Sequence, residues 1–402
     1  MPEHVSATSI RKTIVNTIEN SNKIKAQKEM YNYFEGQYKI SRSNLFPQID
    51  VKSVIENREK PGIYPNKLNS VIELSASIPI WDAQRYEELT TNKAQKEVGK
   101  IEFDYSKKRI IQIAASTHID IIQQEKVLEL TKNISNKFAQ QRKEMYQRFK
   151  AGERTITDVR QVKARLARYL ARLSRERETM RMLERRYKEL TNSRGRVSLQ
   201  PTQINTKKYI KQKIYLNNIT EVNLSKQRLN LSLSKYRAQK LMHLPTVSLV
   251  ATVDNNHDQL YGTGLSDFDN KKIQLTLKLP LFSSFSTSNK IKSSYTQVRL
   301  NEIIHKQQKL EASEKVREIV FQINNSHKII KNLQWAKYMA KKALDGITTE
   351  FAAGNKSGQD LLDSEEELFL AELEHIKEDG RLDKLKIEHL ALINKIDEYF
   401  KL

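Results

Sequence analysis

The residues of this sequence that could carry out chemistry are few and scattered. Cysteine is absent, so the chain can form no disulfide and no thiolate metal site. His118 and Asp120 lie in a predicted helix with no partner group in view. No phosphate-binding loop, zinc motif or nucleophile motif occurs. We therefore predict that the protein is not an enzyme, has no catalytic residues, and holds neither a cofactor nor a metal.

An acidic stretch between two predicted strands is a candidate for binding Ca²⁺. Its aspartates do not follow the register of an EF-hand loop, in which the ligands occupy fixed positions. We interpret the stretch as an exposed loop and predict no metal site there. The aspartates are Asp254, Asp258, Asp267 and Asp269.

A basic stripe is the most strongly charged feature. The chain carries a net charge of +22, and residues 142–196 contribute a large excess of arginine. Four arginines share one side of a predicted helix, namely Arg165, Arg168, Arg172 and Arg175. The stripe is consistent with a solvated face, with a surface facing a protein partner or cargo, or with nucleic-acid binding. No base-stacking aromatic residues are interleaved with it, which argues against the last interpretation.

Short alternating stretches are the elements that stand out from a charged, helical background. In "KKIQLTLKLPLF", residues 271–282, leucine and isoleucine alternate with polar residues, which is the period-two pattern of a strand with one apolar face. Similar stretches occur at about 47–56, 68–80 and 246–254. Each of the four has a proline at one end: Pro47, Pro79, Pro245 and Pro280.

Long helices are predicted where proline is absent. No proline lies between Pro79 and Pro201, and none follows Pro280. Because proline in a helix interior costs about 3 kcal/mol, both spans can form very long helices. Val316, Val320 and Ile323 have the spacing of a coiled-coil seam. The predicted fold class is mainly α with a small β part.

The two halves of the chain match each other. "IPIW" at Pro79 corresponds to "LPLF" at Pro280, and "FKAGERTITDV" corresponds to "FAAGNKSGQDL". We therefore predict two structural repeats, 1–200 and 201–402. Each would contain a helix, a strand hairpin (47–80 or 246–282) and a long helical hairpin, whose tips lie near Gly152 and Gly354.

The predicted strands are about 9–13 residues long, a length that crosses a bilayer when the strand is tilted. Lipid tolerates no open sheet edge, and four strands cannot close a barrel, so such a chain would have to oligomerise. Trp81 and Phe282 follow the matching prolines, where an interfacial aromatic belt would lie. The alternative is two hairpins packed on helices in a soluble α+β protein. The first residues contain no apolar signal core, so either the chain is not exported or its signal peptide is not present in this sequence.

These features resemble the TolC-like outer membrane efflux protein family over nearly the whole chain. The most specific segments are "LFPQIDV" and "HLPTVSL" before the first strand of each half, "IPIW" and "LKLPLF" after the second, and the "AG" tips followed by an aspartate. The resemblance implies a homotrimer in which four strands per chain form one membrane β-barrel of 12 strands, continued by a long α-helical coiled-coil barrel.

The resemblance also implies a function. Such proteins do no chemistry but form a passive exit duct for drugs or polypeptides, in tripartite efflux pumps or type I secretion systems. They lie in the bacterial outer membrane, contact its lipid and extend into the periplasm. There they dock on an inner-membrane transporter through a periplasmic adaptor (membrane fusion) protein, and no nucleic acid is expected as a partner.

Several site residues follow from the resemblance. Asp158 matches an aspartate of the closed-state latch, and its basic partner would be Lys356, where many members carry arginine. Lysine offers no bidentate fork. Phe351 stands where a tyrosine is common. Asp360 and Asp363 match the paired aspartates that ring the narrowest point, although the neighbouring Gly358 and Gln359 replace the apolar residues usual there.

A second function remains open from the sequence. The positive charge and the missing signal peptide are consistent with a soluble, basic coiled-coil scaffold that binds nucleic acid. The alternating strands oppose this alternative, because such a scaffold has no use for four strands with apolar faces.

Overall fold

The computed structural model describes residues 8–60, 64–193, 197–210, 215–258 and 268–402. Over these ranges the chain is mainly helical with one four-stranded sheet, which confirms the predicted fold class. The elements follow in the order α1 Ile10–Asn20, α2 Asn22–Ser43, β1 Gln48–Lys60, β2 Tyr64–Asp82, α3 Ala83–Lys150, α4 Ile156–Thr191, α5 Lys207–Ile210, α6 Thr220–Leu241, β3 Thr246–Asp258, β4 Phe268–Lys278, α7 Ser286–Ala352, α8 Gly358–Leu392 and α9 Ile396–Phe400.

The proline-free spans do form long helices. Helix α3 has 68 residues and α7 has 67. The order helix, strand, strand, long helix, shorter helix occurs twice, as α2 to α4 and as α6 to α8. The division of the chain into two structural repeats, 1–200 and 201–402, would explain this repeated order of elements and remains a prediction.

The strand boundaries differ from those predicted. β1, β2 and β3 extend further towards their connecting loops, to Lys60, from Tyr64 and to Asp258. β4 begins at Phe268 and ends at Lys278, short of the predicted end at Phe282. Pro280 has no backbone N–H and cannot donate to a strand ladder. This explains why the strand ends before Pro280 although the apolar alternation continues in the sequence.

The sheet is antiparallel throughout, in the order β1-β2-β3-β4. Its register aligns the apolar residues of all four strands: Val51 pairs with Leu74, and Leu74 with Val253. In the second half of the sheet, Leu249 pairs with Leu275. Since side chains alternate between faces along each strand, these pairs place the apolar residues of the four strands on one face.

By its internal contacts the chain divides into two compact units, and each draws on both halves of the sequence. One unit comprises Ala26–Phe103 and Glu221–Lys309 and contains the sheet. Its helices are joined by the ion pairs Lys96–Glu35 at 3.2 Å and Arg228–Glu102 at 2.6 Å. The other unit comprises Met1–Lys25, Asp104–Thr220 and Leu310–Leu402.

Aromatic rings join three helices of this second unit. Phe138 of α3, Tyr169 of α4 and Phe369 of α8 are all buried, with ring centroids 5.2 Å apart for the first pair and 5.1 Å for the second. Val159, Val162, Leu166, Tyr169 and Leu173 supply the α4 side of this core. Their alternating spacing of three and four residues is that of a helix packed along one seam.

A buried chain of hydrogen bonds ties the first helix to α3 and α4. His118 is fully buried, and its Nε2 donates to the Gln200 carbonyl oxygen at 3.1 Å. Its Nδ1 therefore accepts from the Thr13 hydroxyl at 2.9 Å, and Thr13 in turn accepts from the Tyr187 hydroxyl at 3.2 Å. Burial lowers the pKa of His118, which favours the neutral ring that this arrangement needs. His118 thus has a structural role.

None of the helices in the described part of the chain has an apolar stretch of the length and purity that crossing a membrane requires.

Candidate functional site

The apolar face of the sheet is uncovered in the single chain. Val51 is 71% exposed, Ile273 is 78% exposed, and Leu275 and Leu277 are each 66% exposed. An apolar surface of this extent marks a site that contacts lipid or another protein. The opposite face carries polar and charged residues, including Asp50, Lys52, Glu73, Ser75, Lys272, Gln274 and Thr276.

The two edges of the sheet are also unpaired. Among the described residues, β1 bonds only to β2, and β4 only to β3. Each edge therefore presents a row of backbone N–H and C=O groups without a strand partner. A sheet with an apolar face and two such edges is one part of a larger, closed sheet if it lies in lipid.

Two predicted interface aromatics lie where the strands meet the helices. Trp81 lies at the end of β2, just before α3, and is 51% exposed. Phe282 follows β4 and is 76% exposed, and its ring meets that of Phe285 edge-on at 5.9 Å. Their role at a membrane interface remains a prediction.

The two glycines predicted at hairpin tips both lie between a long helix and the helix that follows it. Gly152 has φ +78° and Gly354 has φ +82°, in the left-handed region that favours glycine. Shortly after each glycine, a capping box begins the next helix: Thr155 with Asp158 for α4, and Ser357 with Asp360 for α8. The equivalent aspartates of the two turns therefore have the same local role.

The residues predicted to form a latch do not contact each other within one chain. The Oδ2 atom of Asp158 accepts bonds from the Thr155 backbone N and hydroxyl, both at 3.0 Å, which leaves Oδ1 for another donor. Lys356 is exposed in the second turn. Phe351 packs against the aromatic core, between the guanidinium groups of Arg148 at 5.5 Å and Arg154 at 4.8 Å. Pairing of Asp158 with Lys356 of a neighbouring chain remains a prediction.

The residues predicted to form the ring have different surroundings. Asp360 accepts from the Ser357 hydroxyl at 2.7 Å and from its backbone N at 2.9 Å. These bonds, helped by nearby Lys356, lower the pKa of Asp360. Within the single chain, this effect opposes the easier protonation that like-charge repulsion in a ring would cause. Asp363 is bound by Arg165 and by Gln359, whose Nε2 lies 3.0 Å from its Oδ2.

Sequence reasoning missed two polar residues of this region. Arg165 belongs to the basic stripe, for which the sequence leaves open a solvated face, a partner- or cargo-facing surface and nucleic-acid binding, but its side chain is only 12% exposed. Glu365 lies beside a cavity of about 430 Å³ between α3, α7 and α8, and burial raises its pKa. Its Oε1 accepts from Gln141 Nε2 at 2.8 Å. A charged residue in a helical sequence gives no sign of being buried until the neighbouring helix is known.

No group of three His, Cys, Asp or Glu side chains in the described ranges is placed to hold a metal ion. Most of the acidic stretch considered for Ca²⁺, including Asp267, lies outside the described residues.

The model of the outer membrane efflux protein family matches residues 215–387, from just before α6 into α8. Over these residues, which are less than half of its length, the chain is similar to outer membrane efflux proteins. The family description names an efflux protein. No curated protein shows a significant match to the sequence.

Solved structures of membrane proteins share the fold of this chain. VceC from Vibrio cholerae is 13% identical, with a TM-score of 0.85 over 96% of this chain and 95% of that chain. The MtrE outer membrane channel of Neisseria gonorrhoeae, in its open state, is 15% identical, with a TM-score of 0.83 over 96% and 89%. CusC is 11% identical, with a TM-score of 0.85 over 96% and 91%.

Proposed function

We propose that this protein is the outer-membrane exit duct of a tripartite efflux pump or type I secretion system. The observation that carries the proposal is the four-stranded sheet with an exposed apolar face and two unpaired edges. Three copies joined edge to edge would close a barrel, satisfy the backbone groups of β1 and β4, and direct the apolar face to lipid. The polar face would line an aqueous lumen.

In the proposed assembly, passage through the duct is passive. Drugs or polypeptides would pass down their own gradient through the trimeric tunnel once its periplasmic end is opened. The partners would be a periplasmic adaptor and an inner-membrane transporter. The match of residues 215–387 to the outer membrane efflux protein family and the fold shared with outer membrane channels support this role, and the sheet supplies the physical requirement for it.

Conductance in planar lipid bilayers tests the proposal. Purified protein should insert and give discrete current steps of uniform size, since a closed barrel has one fixed cross-section. An absence of current steps, together with binding to nucleic acid at physiological salt, would instead support the basic scaffold. A binding assay on duplex DNA across a range of salt concentrations covers that outcome, because phosphate binding weakens steeply as salt rises.

A further inference from the structure

We propose that Arg165 determines the electrical character of the narrow end of the duct, by holding Asp363 and cancelling part of the carboxylate charge there. This inference rests on the proposed function, because it takes the turns after α3 and α7 to form that end. The group formed by Arg165, Asp363, Glu366 and the Leu362 carbonyl oxygen is called the Arg165 clasp below.

The Arg165 clasp is a set of hydrogen bonds donated by one guanidinium group. Nη1 of Arg165 donates to Glu366 Oε2 at 2.6 Å and to the Leu362 carbonyl oxygen at 3.1 Å. Nη2 donates to Asp363 Oδ1. One planar guanidinium thus bridges two carboxylates and a carbonyl oxygen of α8 through two nitrogens held in a fixed plane.

Packing of α4 on α8 explains why this arginine reaches α8. Arg165 precedes Leu166, a buried residue of the seam, and the α8 side of the seam includes Leu362 and Phe369. Seven residues later, Arg172 holds the equivalent position before Leu173, with its guanidinium 4.8 Å from the Phe369 ring centroid. The basic stripe therefore divides into seam residues and exposed residues.

Arg168 shows the contrast within the stripe. Its side chain is 67% exposed, and its nearest carboxylate oxygen, on Glu366, lies 3.7 Å away. The Arg165 side chain is 12% exposed. A partly buried, multiply bonded charge interacts more strongly with its partners than an exposed one, which water and salt screen.

The clasp changes the charge that a ring of aspartates would present. Arg165 offsets one of the two carboxylates that it binds, so a single net negative charge remains per clasp. It also restrains Asp363, whose side chain is 55% exposed, against the α4–α8 seam. A narrow end built from three clasps would attract cations less strongly than an uncompensated ring of aspartates.

Ion selectivity tests the proposal. If Arg165 had a purely structural role, its replacement would not shift the selectivity specifically towards cations. Reversal potentials in a potassium chloride gradient across planar bilayers give the ratio of cation to anion permeability. We expect Arg165→Gln to raise this ratio and to strengthen block by a trivalent cation severalfold. Arg165→Lys should stay near wild type because it keeps the charge. Arg168→Gln, the exposed control, should change selectivity little.

Asp363→Asn provides the opposite test if Arg165→Gln does not assemble. It leaves Arg165 facing Glu366 alone, so permeability should shift towards anions and trivalent block should weaken. Selectivity that is unchanged in Asp363→Asn, or altered equally by Arg165→Gln and Arg168→Gln, would overturn the proposal.

A thermal unfolding cycle keeps the clasp testable apart from the channel. In wild type, Arg165→Gln, Asp363→Asn and the double variant, the effects on the unfolding temperature should be non-additive if the two side chains bind each other. Non-additive effects without conductance would contradict the proposed function and leave the contact standing. Additive effects in a conducting protein would overturn the clasp.

Discussion

At the scale of single residues, Asp158 and Asp360 each have one structural role and one proposed functional role. Each completes a capping box at the start of a helix, and each is also a candidate for the closed end of the duct. Substitution by alanine would therefore mix the loss of the hydrogen bond that the N3 aspartate accepts from the N-cap backbone, worth about 1 kcal/mol, with the loss of a channel contact. Asparagine keeps much of the capping ability and removes the charge, so it is the better substitution at both positions.

The latch prediction concerns Lys356. If it pairs with Asp158 of a neighbouring chain, Lys356→Ala should loosen the closed end and raise single-channel conductance. An exposed pair contributes about 0.2–1 kcal/mol, so a visible effect depends on three copies acting together. Lys331→Ala, an exposed lysine within α7, is the matched control. Conductance that is unchanged in both Lys356→Ala and Asp158→Asn would contradict the pairing.

The ring prediction concerns Asp360 and Asp363, which lie three residues apart on α8 and so share one side of the helix. Threefold symmetry would stack them as two rings of carboxylates, which concentrate cations at a constriction. A trivalent cation added on the tip side should block the wild-type current. Block should weaken strongly in the double variant Asp360→Asn, Asp363→Asn. Equal block in both proteins would place the narrow point elsewhere.

The buried His118 predicts a dependence of stability on pH. Burial lowers its pKa below 6.5 in the folded chain, so the unfolded chain binds more protons between pH 6.5 and that lower value. The stabilisation is therefore complete above pH 6.5 and is lost as the pH falls below it. The unfolding temperature should fall with acidification in this range, and less steeply in His118→Gln.

The exposed His243 supplies the control for that measurement. His243→Gln should keep the wild-type slope of unfolding temperature against pH. His118→Gln should also lower the unfolding temperature at neutral pH, because it disrupts hydrogen bonds to Thr13 and Gln200, each worth about 1 kcal/mol. Equal slopes in wild type and His118→Gln would show that the ring is not the titrating group.

At the scale of elements, strand β4 separates the two faces of the sheet most cleanly. Leu275 lies on the apolar face, beside Leu249, and the next residue, Thr276, lies on the opposite face, beside Ser248. Leu275→Arg should impair membrane insertion, since arginine facing the bilayer midplane costs about 2–4 kcal/mol. Thr276→Arg should be tolerated. The measurement is the amount of folded protein recovered in the membrane fraction, and equal recovery of the two variants would reverse the assignment of faces.

The buried residues of the long helices were harder to predict from the sequence than the strands were. The sequence indicates a seam in α7, at Val316, Val320 and Ile323, but none in α3, whose buried residues pack against α1 near Ile111 and against α4 and α8 near Phe138. The turns after α3 and after α7 were easier to predict from the sequence, because a glycine with positive φ followed by a capping box has a short, local sequence pattern.

At the scale of the whole molecule, the open sheet predicts the oligomeric state. Protein extracted in detergent should be a trimer, because four strands cannot close a barrel and each unpaired edge in lipid costs several kcal/mol per backbone group. Sedimentation or light scattering with the detergent contribution subtracted gives the mass of the assembly. A stable monomer that retains its strand content by circular dichroism would refute the barrel.

The sequence by itself determined the strands, the long helices, the two glycine turns and the apolar face of the sheet. All of these follow from local patterns: alternation, the absence of proline, and glycine where the backbone turns left-handed. Strand ends were less well determined, because Leu279 and Leu281 continue the apolar alternation although β4 ends at Lys278.

Only the tertiary structure decided which charged residues are compensated. Arg165 and Arg168 are alike in sequence, both arginines in the same basic helix, yet one is enclosed by α8 and the other faces solvent. Likewise, the sequence left His118 without a partner, whereas the fold supplies Thr13 and Gln200. Hydrophobic periodicity specifies which side of a helix is buried, but the partner of a polar group depends on the packing of segments distant in the chain.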